Sequence, residues 1–338
     1  MLAHITKKLE YLPNLTHGYY FQKHGTFDLP QIIQQSRLTI SFCKEHDDTS
    51  SAIATNEYLP ILVNQKDPNF DFDTFIEKLK TESLGRCLIH VPVMNSTFDV
   101  LEGQFLKHGL FVVADQMLNG QGRGSNKWIS PNGCAMTSIQ IETKLDSKLA
   151  QNPGLLLILP SLAVVHSLRK DSSEKLNIKW PNDMYLGFDT KLGGVKIISN
   201  QLKDKMVFNI GIGFNLDNEW PTTSWNAHLS QKLLPKLKRE EFFAKVFNCL
   251  EMLFDELENQ ADSKLDIILE MYQKYWLHQD QPVQVTNLEG EVFKGIVKRL
   301  DKNGFLIVEM LDNSKIVPLD PEAYSFDVKQ GIITPRAN

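Results

Sequence analysis

Residues 119–128 read Asn-Gly-Gln-Gly-Arg-Gly-Ser-Asn-Lys-Trp. Glycine occupies every second position from 120 to 124, so the backbone of this stretch can adopt positive φ angles and approach a ligand closely. Arg123 and Lys127 add two cations, and successive glycine amides can form an anion-binding nest. The stretch is not a Walker A loop, because no Gly-Lys-Ser/Thr follows, and Ser125 stands where a dinucleotide fingerprint needs its third glycine. By itself it fits an anion-binding loop and a solvated surface hairpin about equally well.

Three further segments follow it, KWPND at 179–183, KLGGVKII at 191–198 and GIGFN at 211–215. The first ends a short strand at a proline turn, where the Asn-Asp pair can hold backbone or ligand groups. In the second, a lysine two residues before a glycine pair places an ammonium group at the mouth of an apolar strand. The third has glycines at alternate positions, so one face of its strand is bare and a flat ligand can lie there. Taken singly, each segment is also explained by a strand-end turn, a bulge or close packing.

The chain around these segments predicts an α/β fold. Between residues 72 and 214 the apolar pattern switches repeatedly between the periods of a helix and of a strand, with short connections. Those connections indicate antiparallel hairpins, and therefore a mixed sheet with flanking helices. Two amphipathic helices are predicted near 239–259 and 264–276. From residue 281 onwards, four or five short alternating strands separated by turn pairs predict a small β-barrel.

These patterns divide the chain into three regions. Residues 1–70 contain polar clusters between short apolar pieces, one of which, Leu38 to Phe42, is a candidate strand; the region is predicted to be an irregular N-terminal extension. Residues 71–278 form the main α/β domain, and residues 279–338 form the barrel domain. A length of 338 residues accommodates these units without disulfide support.

Composition argues against several partners. The formal net charge is −5, so no global positive field attracts nucleic acid. The longest strongly apolar run, 155–165, has 11 residues, whereas a membrane-spanning helix needs about 20. The cysteines at 43, 87, 134 and 249 form no CxxC pair, so reduced thiols are expected. We therefore expect a cytoplasmic protein that binds neither nucleic acid nor membrane; a mitochondrial location is the alternative, although the first 25 residues contain no arginine.

The segments described above, in this order and together with Ser96-Thr97-Phe98-Asp99, resemble the catalytic region of the biotin protein ligases, whose eukaryotic members are called holocarboxylase synthetases. The resemblance extends from about residue 70 to 327 and includes YWLH at 275–278 and the small C-terminal barrel. It implies a mixed sheet with flanking helices, related to that of class II aminoacyl-tRNA synthetases, followed by an SH3-like β-barrel. Residues 71–278 would then be a biotin ligase catalytic domain.

The resemblance also implies a reaction in two halves. Biotin and MgATP give biotinyl-5′-AMP and pyrophosphate, and a lysine of the biotin carboxyl carrier domain of a carboxylase then takes the biotinyl group as an amide. ATP and Mg²⁺ are the expected cofactors, with biotin as substrate. A carboxylate that attacks a triphosphate brings anions together, so the site needs fixed cations, Mg²⁺ and amide donors.

Roles for individual residues follow from the same resemblance. The expected catalytic residues are Arg123 and Lys191. The expected biotin-binding residues are Ser96, Thr97, Phe98, Gln116, Gln121, Gly122, Arg123, Lys191 and Gly194. The expected ATP- or adenylate-binding residues are Gly120, Gly122, Arg123, Trp128, Asn182, Lys191 and Asn215. Asp183 is the expected Mg²⁺ ligand. Ordering of the glycine-rich loop over the intermediate would shield the mixed anhydride from water.

Two positions depart from the family pattern. The usual loop carries a basic residue where this chain has Gln121, so Arg123 must supply most of the positive charge. The biotin-contacting glutamine of the family, three residues before the first loop glycine, falls on Met117. Either the loop is shifted by one residue and Gln116 makes the contact, or the contact is lost.

Two alternative functions stay open at this point. A lipoate or octanoate transferase of the same superfamily would need a longer apolar tunnel for a linear acyl chain and no polar partners for a ureido ring. A non-catalytic biotin-binding protein, a biotin sensor or degenerate paralogue, is made possible by the departures at Gln121 and Met117.

Overall fold

The computed structural model describes residues 18–22, 29, 32–34, 38–43, 58–63, 69–124, 126–170, 175–259 and 263–336. Within these ranges, twelve strands form one mixed sheet and six more form a second sheet at the C-terminal end. The helices pack on one face of the large sheet, where they bury its larger apolar cluster. The expected fold class, a mixed α/β domain followed by a small β domain, is confirmed.

The first twelve strands are β1 (Gly18–Gln22), β2 (Ile32–Gln34), β3 (Thr39–Cys43), β4 (Tyr58–Val63), β5 (Cys87–Met94), β6 (Leu110–Gln121), β7 (Lys127–Ser130), β8 (Cys134–Lys144), β9 (Leu176–Lys179), β10 (Asp183–Leu186), β11 (Thr190–Leu202) and β12 (Lys205–Asn215). Their order in the sheet is β2-β3-β4-β1-β5-β6-β8-β12-β11-β10-β9, and β7 pairs with β6 outside this path. Along the sheet order β6-β8-β12-β11-β10-β9, all neighbouring strands pair antiparallel, whereas β5 and β6 pair parallel.

The described α-helices are α1 (Phe72–Lys78), α2 (Lys148–Gln151), α3 (Pro153–Lys170), α4 (Trp225–Gln231), α5 (Arg239–Asn259) and α6 (Ser263–Tyr275), and a 3₁₀ helix spans Thr97–Val100. The two amphipathic helices predicted near 239–259 and 264–276 correspond to α5 and α6. None of the described helices is both long enough and apolar enough to cross a membrane.

Both faces of the large sheet are covered. Along β6, Phe111 and Val113 belong to the apolar cluster under the helices, whereas Leu110, Val112 and Ala114 belong to a second cluster on the opposite face. Successive side chains of a strand point to opposite faces, so a strand that is buried on both sides has an unbroken apolar sequence. The second cluster also extends under the N-terminal strands.

The N-terminal strands correct the expectation of an irregular extension over residues 1–70. Where the structure describes this region, β1 to β4 belong to the large sheet, and β1 pairs antiparallel with β5. Tyr20, Ile40 and Ile61 are buried in the second apolar cluster, together with Ile89 of β5. Strands of three to six residues contain too few alternations to stand out from the polar clusters around them. The candidate strand at Leu38 to Phe42 corresponds to β3; much of the rest of the region lies outside the described residues.

The second sheet has six described strands where the sequence predicts four or five. They are β13 (Pro282–Thr286), β14 (Val292–Leu300), β15 (Leu306–Met310), β16 (Ile316–Leu319), β17 (Tyr324–Asp327) and β18 (Ile332–Pro335), in the order β16-β15-β14-β13-β18-β17. Buried residues of this sheet, such as Val285 and Leu306, belong to the same apolar cluster as the helices of the main body. The indole Nε1 of Trp180 also donates to the carbonyl of Gly304 at 3.1 Å. The two sheets therefore share one core.

The cysteines bear out the expectation of reduced thiols. Cys43, Cys87, Cys134 and Cys249 are all buried and form no disulfide. Burial raises the pKa of the Cys134 thiol to about 12, so this group is not activated as a nucleophile.

Candidate active site

A cavity of about 440 Å³ lies over β11 and β12, between the glycine-rich segment and the second sheet. All four segments that the sequence singles out contribute to its lining. Of the expected site residues, the cavity is lined by Ser96, Thr97, Phe98, Gln121, Gly122, Arg123, Trp128, Asn182, Asp183, Lys191 and Gly194. Gly120, Gln116 and Asn215 are not part of the lining. The folded chain therefore brings together most of the expected residues at one place.

The glycines of β12 form the floor of the cavity. A Cβ on Gly211 would lie 2.5 Å from Cζ of Phe98, and a Cβ on Gly213 would lie 3.0 Å from Cε2 of Trp128. Both distances are too short for ordinary contact, so only a bare strand lets these two rings lie on the sheet. The prediction of a bare strand face is confirmed, and the two rings cover part of it.

The glycine-rich segment is a hairpin and not an open loop. β6 continues through Gln121 and the chain returns along β7, which places Gly120 opposite Trp128. The amide of Gly122 donates to the carbonyl of Asn126 at 2.8 Å and closes the turn. A Cβ on Gly120 would lie 2.6 Å from the carbonyl oxygen of Trp128. Gly120 is therefore required for strand pairing; it does not line the cavity, and its contact with the nucleotide stays a prediction.

The Ser96-Thr97-Phe98-Asp99 segment forms a capping box at the start of the 3₁₀ helix. The Oγ of Ser96 accepts from the amide of Phe98 at 3.3 Å, and the carboxylate of Asp99 accepts from the amide of Ser96 at 3.1 Å. The hydroxyl of Thr97 is buried within 2.7 Å of the hydroxyl of Ser138 on β8. This local structure directs the Phe98 ring over Gly211.

Arg123 extends from the hairpin across the cavity. Its Nη1 donates to Oδ1 of Asn182 at 2.9 Å, and its Nη2 donates to the carbonyl of Pro321 and lies 3.4 Å from the carboxylate of Glu322. Burial lowers the pKa of the guanidinium, which still stays protonated at neutral pH. The side chain of Asn182 is itself fixed, because its Nδ2 donates to the carbonyl of Val195 at 2.6 Å.

A second group of charges surrounds Asp183 at the start of β10. Its Oδ1 lies 2.7 Å from Nζ of Lys191, and its Oδ2 lies 3.8 Å from Nζ of Lys179. Burial lowers the pKa of Lys179. The ammonium of Lys191 also lies 5.9 Å from the centre of the Trp128 ring. Two lysines and one carboxylate thus carry a net positive charge beside Arg123.

Two buried residues, His278 of the YWLH sequence and Tyr272 on α6, hold the KWPND turn through hydrogen bonds to its backbone. His278 is fully buried, and its Nε2 accepts a hydrogen bond from the amide of Trp180 at 2.7 Å. Burial lowers the pKa of His278 to about 3, so this ring is neutral and serves as an acceptor. The hydroxyl of Tyr272 donates to the carbonyl of Pro181 at 3.0 Å, and burial raises the pKa of this phenol. These two residues position the turn without lining the cavity.

The structure places Met117 and Gln116, the two candidates for the family's glutamine position, differently relative to the cavity. Met117 lines the cavity, and its Sδ lies 3.8 Å from the hydroxyl of Thr97. Gln116, the preceding residue of β6, pairs with Val93 and lies outside the cavity lining. Met117 and not Gln116 therefore lines the cavity, and β6 has one extra residue between Met117 and Gly120 where it pairs with β7.

Asn215 is also placed differently from expectation. Its Nδ2 donates to the hydroxyl of Thr222 at 2.8 Å, and its Oδ1 lies 3.4 Å from the thiol of Cys134. The side chain is buried at the end of β12, where it connects the strand to the following loop. It supports the floor of the cavity from outside the lining.

The cavity includes residues that the sequence did not single out for it. They include Tyr324, Ser325 and Phe326 on β17, Arg336 directly after β18, and Lys196 on β11. Nothing local in the sequence marks the four residues of the second sheet, because their position depends on how the two sheets pack. Lys196 could have been found, since it follows Gly194 by two positions and therefore lies on the same face of the strand.

The donor set at the polar end of the cavity fits a phosphate-bound magnesium ion. Asp183 is the one carboxylate among the described lining residues, and the described residues contain no cluster of three acidic, histidine or cysteine side chains. Mg²⁺ is commonly held by one or two carboxylates together with substrate phosphates, so a single carboxylate beside a phosphate site is sufficient. The opposite end, at Thr97 and Phe98, has the mixed polar and apolar lining of a pocket for a small ring system.

Comparisons with known proteins agree with this geometry. Residues 91–217 match the family model described as "Biotin/lipoate A/B protein ligase family". The chain is 33% identical over 300 residues to biotin–protein ligase 2 of Arabidopsis thaliana, an alignment that covers 85% of this chain and 88% of the relative. It is 30% identical over 321 residues to the human biotin–protein ligase, but spans only 43% of that longer protein, with 90% of this chain aligned.

A solved structure shares the fold. The biotin protein ligase from Aquifex aeolicus, solved in complex with biotin and ATP, superposes with a TM-score of 0.56 at 20% identity. The match covers 74% of this chain and 99% of that one.

Proposed function

The chain belongs to the biotin protein ligase family, and from this premise we propose that it is an ATP-dependent ligase that activates biotin as biotinyl-5′-AMP and transfers the biotinyl group to a specific lysine of biotin carboxyl carrier domains in carboxylases. The observation that carries the proposal is a single cavity that combines a glycine floor, a ring pocket at Thr97 and Phe98, and fixed cations at Arg123 and Lys191.

In the first half-reaction, a carboxylate oxygen of biotin attacks the α-phosphorus of ATP and pyrophosphate leaves. Two anions must approach each other, and negative charge accumulates on the α-phosphate oxygens. We assign the neutralisation of this charge to Arg123 and Lys191, whose cationic groups lie beside the KWPND turn. Because Asn182 and Asp183 hold these groups in place, little reorganisation is needed when the charge develops.

In the second half-reaction, the ε-amine of the acceptor lysine attacks the carbonyl carbon of the mixed anhydride. A C–N bond forms, the bond between that carbon and the phosphate oxygen breaks, AMP leaves, and the amine loses a proton. The mixed anhydride is sensitive to water, so it must be covered until the acceptor arrives. The hairpin between β6 and β7 is suited to this role, since Gly122 and Gly124 give its turn freedom to move over the ligand.

For the metal, we propose that Asp183 holds Mg²⁺ together with ATP phosphates. The ion would supply additional positive charge to the departing pyrophosphate. Asp183 pairs with Lys191 at 2.7 Å, so the residue that would hold the ion and the catalytic ammonium are neighbours.

Biotin-dependent exchange of pyrophosphate into ATP tests the activation step. We expect exchange with the wild-type protein, and a loss of about 10²-fold or more in Arg123→Ala and in Lys191→Ala, as for the removal of other transition-state donors. Lys205→Ala is the matched control, because Lys205 forms an exposed ion pair with Glu142 far along β12 from the cavity. Absence of exchange in the wild-type protein would contradict the proposed function, and near-normal rates in both alanine variants would contradict the assigned roles.

Substitution of lipoate or octanoate for biotin in the same assay examines the acyl-chain alternative. We expect neither to support exchange, because the cavity ends at Thr97 and Phe98 in a mixed polar and apolar lining and not in an apolar tunnel. Exchange with biotin would also exclude the alternative of a non-catalytic biotin-binding paralogue.

Acceptor and location are part of the proposal. We propose that biotin carboxyl carrier domains are the acceptors and that the protein acts in the cytoplasm, where reduced cysteines are typical. Labelling of a purified acceptor domain with biotin and MgATP tests the first point. Imaging of the tagged full-length protein tests the second, and a mitochondrial signal would contradict it.

A further inference from the structure

Several cations that line the cavity have no role in the proposed mechanism, and Lys196 is one of them. Lys196 lies on β11 and lines the cavity at the end formed by Ser96 and Phe98. Its side chain is half-buried, with Nζ 5.8 Å from the centre of the Phe98 ring. The same Nζ donates to Oε1 of Gln121, on the hairpin, at 3.2 Å. Lys196 therefore connects the floor of the cavity with its cover.

Lys196 and Lys191 stand at the two ends of the same strand segment, each near an aromatic ring. Lys191 lies near Trp128 and is neutralised by Asp183 at 2.7 Å. For Lys196, no carboxylate among the described residues lies within ion-pair distance, and burial alone lowers its pKa. The two lysines thus differ, because Lys191 has an anionic partner and Lys196 has none among the described residues.

An ammonium group has three N–H donors and no acceptor. One N–H of Lys196 donates to Gln121, and the ammonium group lies near the Phe98 ring. The remaining N–H groups can donate to a ligand in the cavity that Lys196 lines. A partly desolvated cation gains most from an oxygen acceptor that enters the same space. The structure therefore favours a ligand oxygen at this end of the cavity.

The orientation of biotin follows from the proposed function, on which this inference rests. The biotin carboxylate must meet the α-phosphate, so it lies at the end with Arg123 and Lys191. The bicyclic ring then lies at the opposite end, over Phe98. Its ureido carbonyl is the strongest neutral acceptor of biotin, because two nitrogen atoms donate electron density to its oxygen.

We propose that Lys196 is a biotin-binding residue that donates a hydrogen bond to the ureido carbonyl oxygen of biotin. The usual family pattern has a basic residue on the hairpin, at the position of Gln121. In this chain, Lys196 on β11 supplies that positive charge instead. Gln121 acts through Lys196, because its amide oxygen holds the ammonium in place and keeps the hairpin close to the ring pocket.

Calorimetric titration of biotin into the full-length protein tests the contact. We expect Lys196→Met to weaken biotin binding by roughly 10- to 100-fold, as for loss of one charge-assisted hydrogen bond, with little change in the KM for ATP. Lys196→Arg should retain most of the affinity, which separates the need for a cation from the need for a correctly packed strand. Lys205→Met is the control for removal of a lysine from the β11–β12 hairpin.

A charge swap sharpens the test. In Lys196→Met with Gln121→Lys, the cation returns to the hairpin, and we expect biotin binding to recover most of what Lys196→Met loses. Unchanged biotin affinity in Lys196→Met, or a double variant no better than Lys196→Met, would overturn the proposal.

Biotin methyl ester identifies the atom that is contacted, since it keeps the ureido ring and lacks the carboxylate. We expect Lys196→Met to weaken binding of the ester by the same factor as binding of biotin. If Lys196→Met weakens binding of biotin but not binding of the ester, Lys196 contacts the carboxylate and the ureido contact is refuted. The proposed function fails separately, if the wild-type protein shows no biotin-dependent pyrophosphate exchange.

Discussion

Gly211 shows how strongly the absence of a side chain can shape a cavity. The Phe98 ring rests directly on its Cα, with a distance of only 2.5 Å between Cζ and the position of an added Cβ. No positive φ angle is needed at Gly211, so alanine is compatible with the backbone there. The ring, which extends into the cavity, is the part that must move.

We therefore predict that Gly211→Ala impairs biotin binding more than folding. Displacement of the Phe98 ring by about 1 Å should raise the KM for biotin by roughly 10- to 100-fold, since misplacement of this size disrupts productive geometry. Steady-state pyrophosphate exchange at varied biotin concentration measures the effect, and thermal unfolding checks the fold.

Ile210→Val is the matched control for Gly211→Ala. Ile210 is the preceding residue of β12, lies outside the cavity lining and is buried among the residues under the helices. Its truncation should cost about 0.5 to 1.5 kcal/mol of unfolding free energy and leave the KM for biotin unchanged. If Gly211→Ala binds biotin normally, the ring contact does not define the pocket.

At the residue scale, the sequence predicts which residue types gather but not every contact they make. Arg123, Asn182 and Lys191 could be anticipated, because each lies within an unusual local motif. Gln116 and Met117 could not be told apart, since adjacent strand residues exchange faces when the register shifts by one position. Pairing of β6 with β5 settles this register only in the folded chain.

At the scale of elements, the KWPND turn is positioned by a helix end far away in sequence. The Nε2 of His278 accepts from the amide of Trp180, so the ring must stay neutral there. Burial holds its pKa near 3, against 6.5 for an ordinary histidine. Below pH 6.5 the unfolded chain takes up a proton at this residue that the folded chain does not, so the free energy of unfolding falls with falling pH until about pH 3.

We predict that His278→Gln reduces the acid sensitivity of the protein. At pH 5.5, one unit below the ordinary pKa of 6.5, this histidine should cost about 1.4 kcal/mol of stability relative to pH 7.5. Glutamine keeps an acceptor for the Trp180 amide but does not titrate. The difference in unfolding free energy between the two pH values, measured by urea denaturation, should therefore shrink by about 1.4 kcal/mol in the variant.

The same substitution at His228, on α4, controls for loss of a histidine in general. An equal pH dependence in His278→Gln and the wild type would show that His278 does not titrate upon unfolding.

Long elements of the main body could be predicted and the short N-terminal ones could not. α5 and α6 have several turns of amphipathic pattern, which is a strong local signal. The described N-terminal strands have only three to six residues and become strands by pairing with one another and with β5. The predicted glycine-rich loop became a hairpin for the same reason, because cross-strand pairing with β7 decides its structure.

At the scale of the whole molecule, the division into domains seen in the sequence is not a division of the core. Val285 of β13 lies in the same apolar cluster as the helices of the main body, and Trp180 bonds to Gly304 across the boundary. Arg123 donates to the carbonyl of Pro321 and so connects the active-site hairpin to the second sheet. Sequence texture marks where the chain changes from helices to short strands, but not whether the two parts fold independently.

The shared core predicts that both sheets unfold in one cooperative transition, which tryptophan fluorescence can test. All five tryptophans lie between residues 128 and 276, in the main body, and Trp180 also contacts Gly304 of the second sheet, so their fluorescence reports mainly the main body. Val285→Ala removes two methyl groups from a fully buried position in the second sheet and should cost roughly 2 kcal/mol. If the sheets unfold together, this distant change shifts the fluorescence-detected denaturation midpoint.

Val292→Ala, at a position of the same sheet that is 60% exposed, should change stability by less than about 0.5 kcal/mol. An unchanged fluorescence midpoint in Val285→Ala, with circular dichroism showing an earlier loss of strand structure, would mean that the second sheet unfolds on its own.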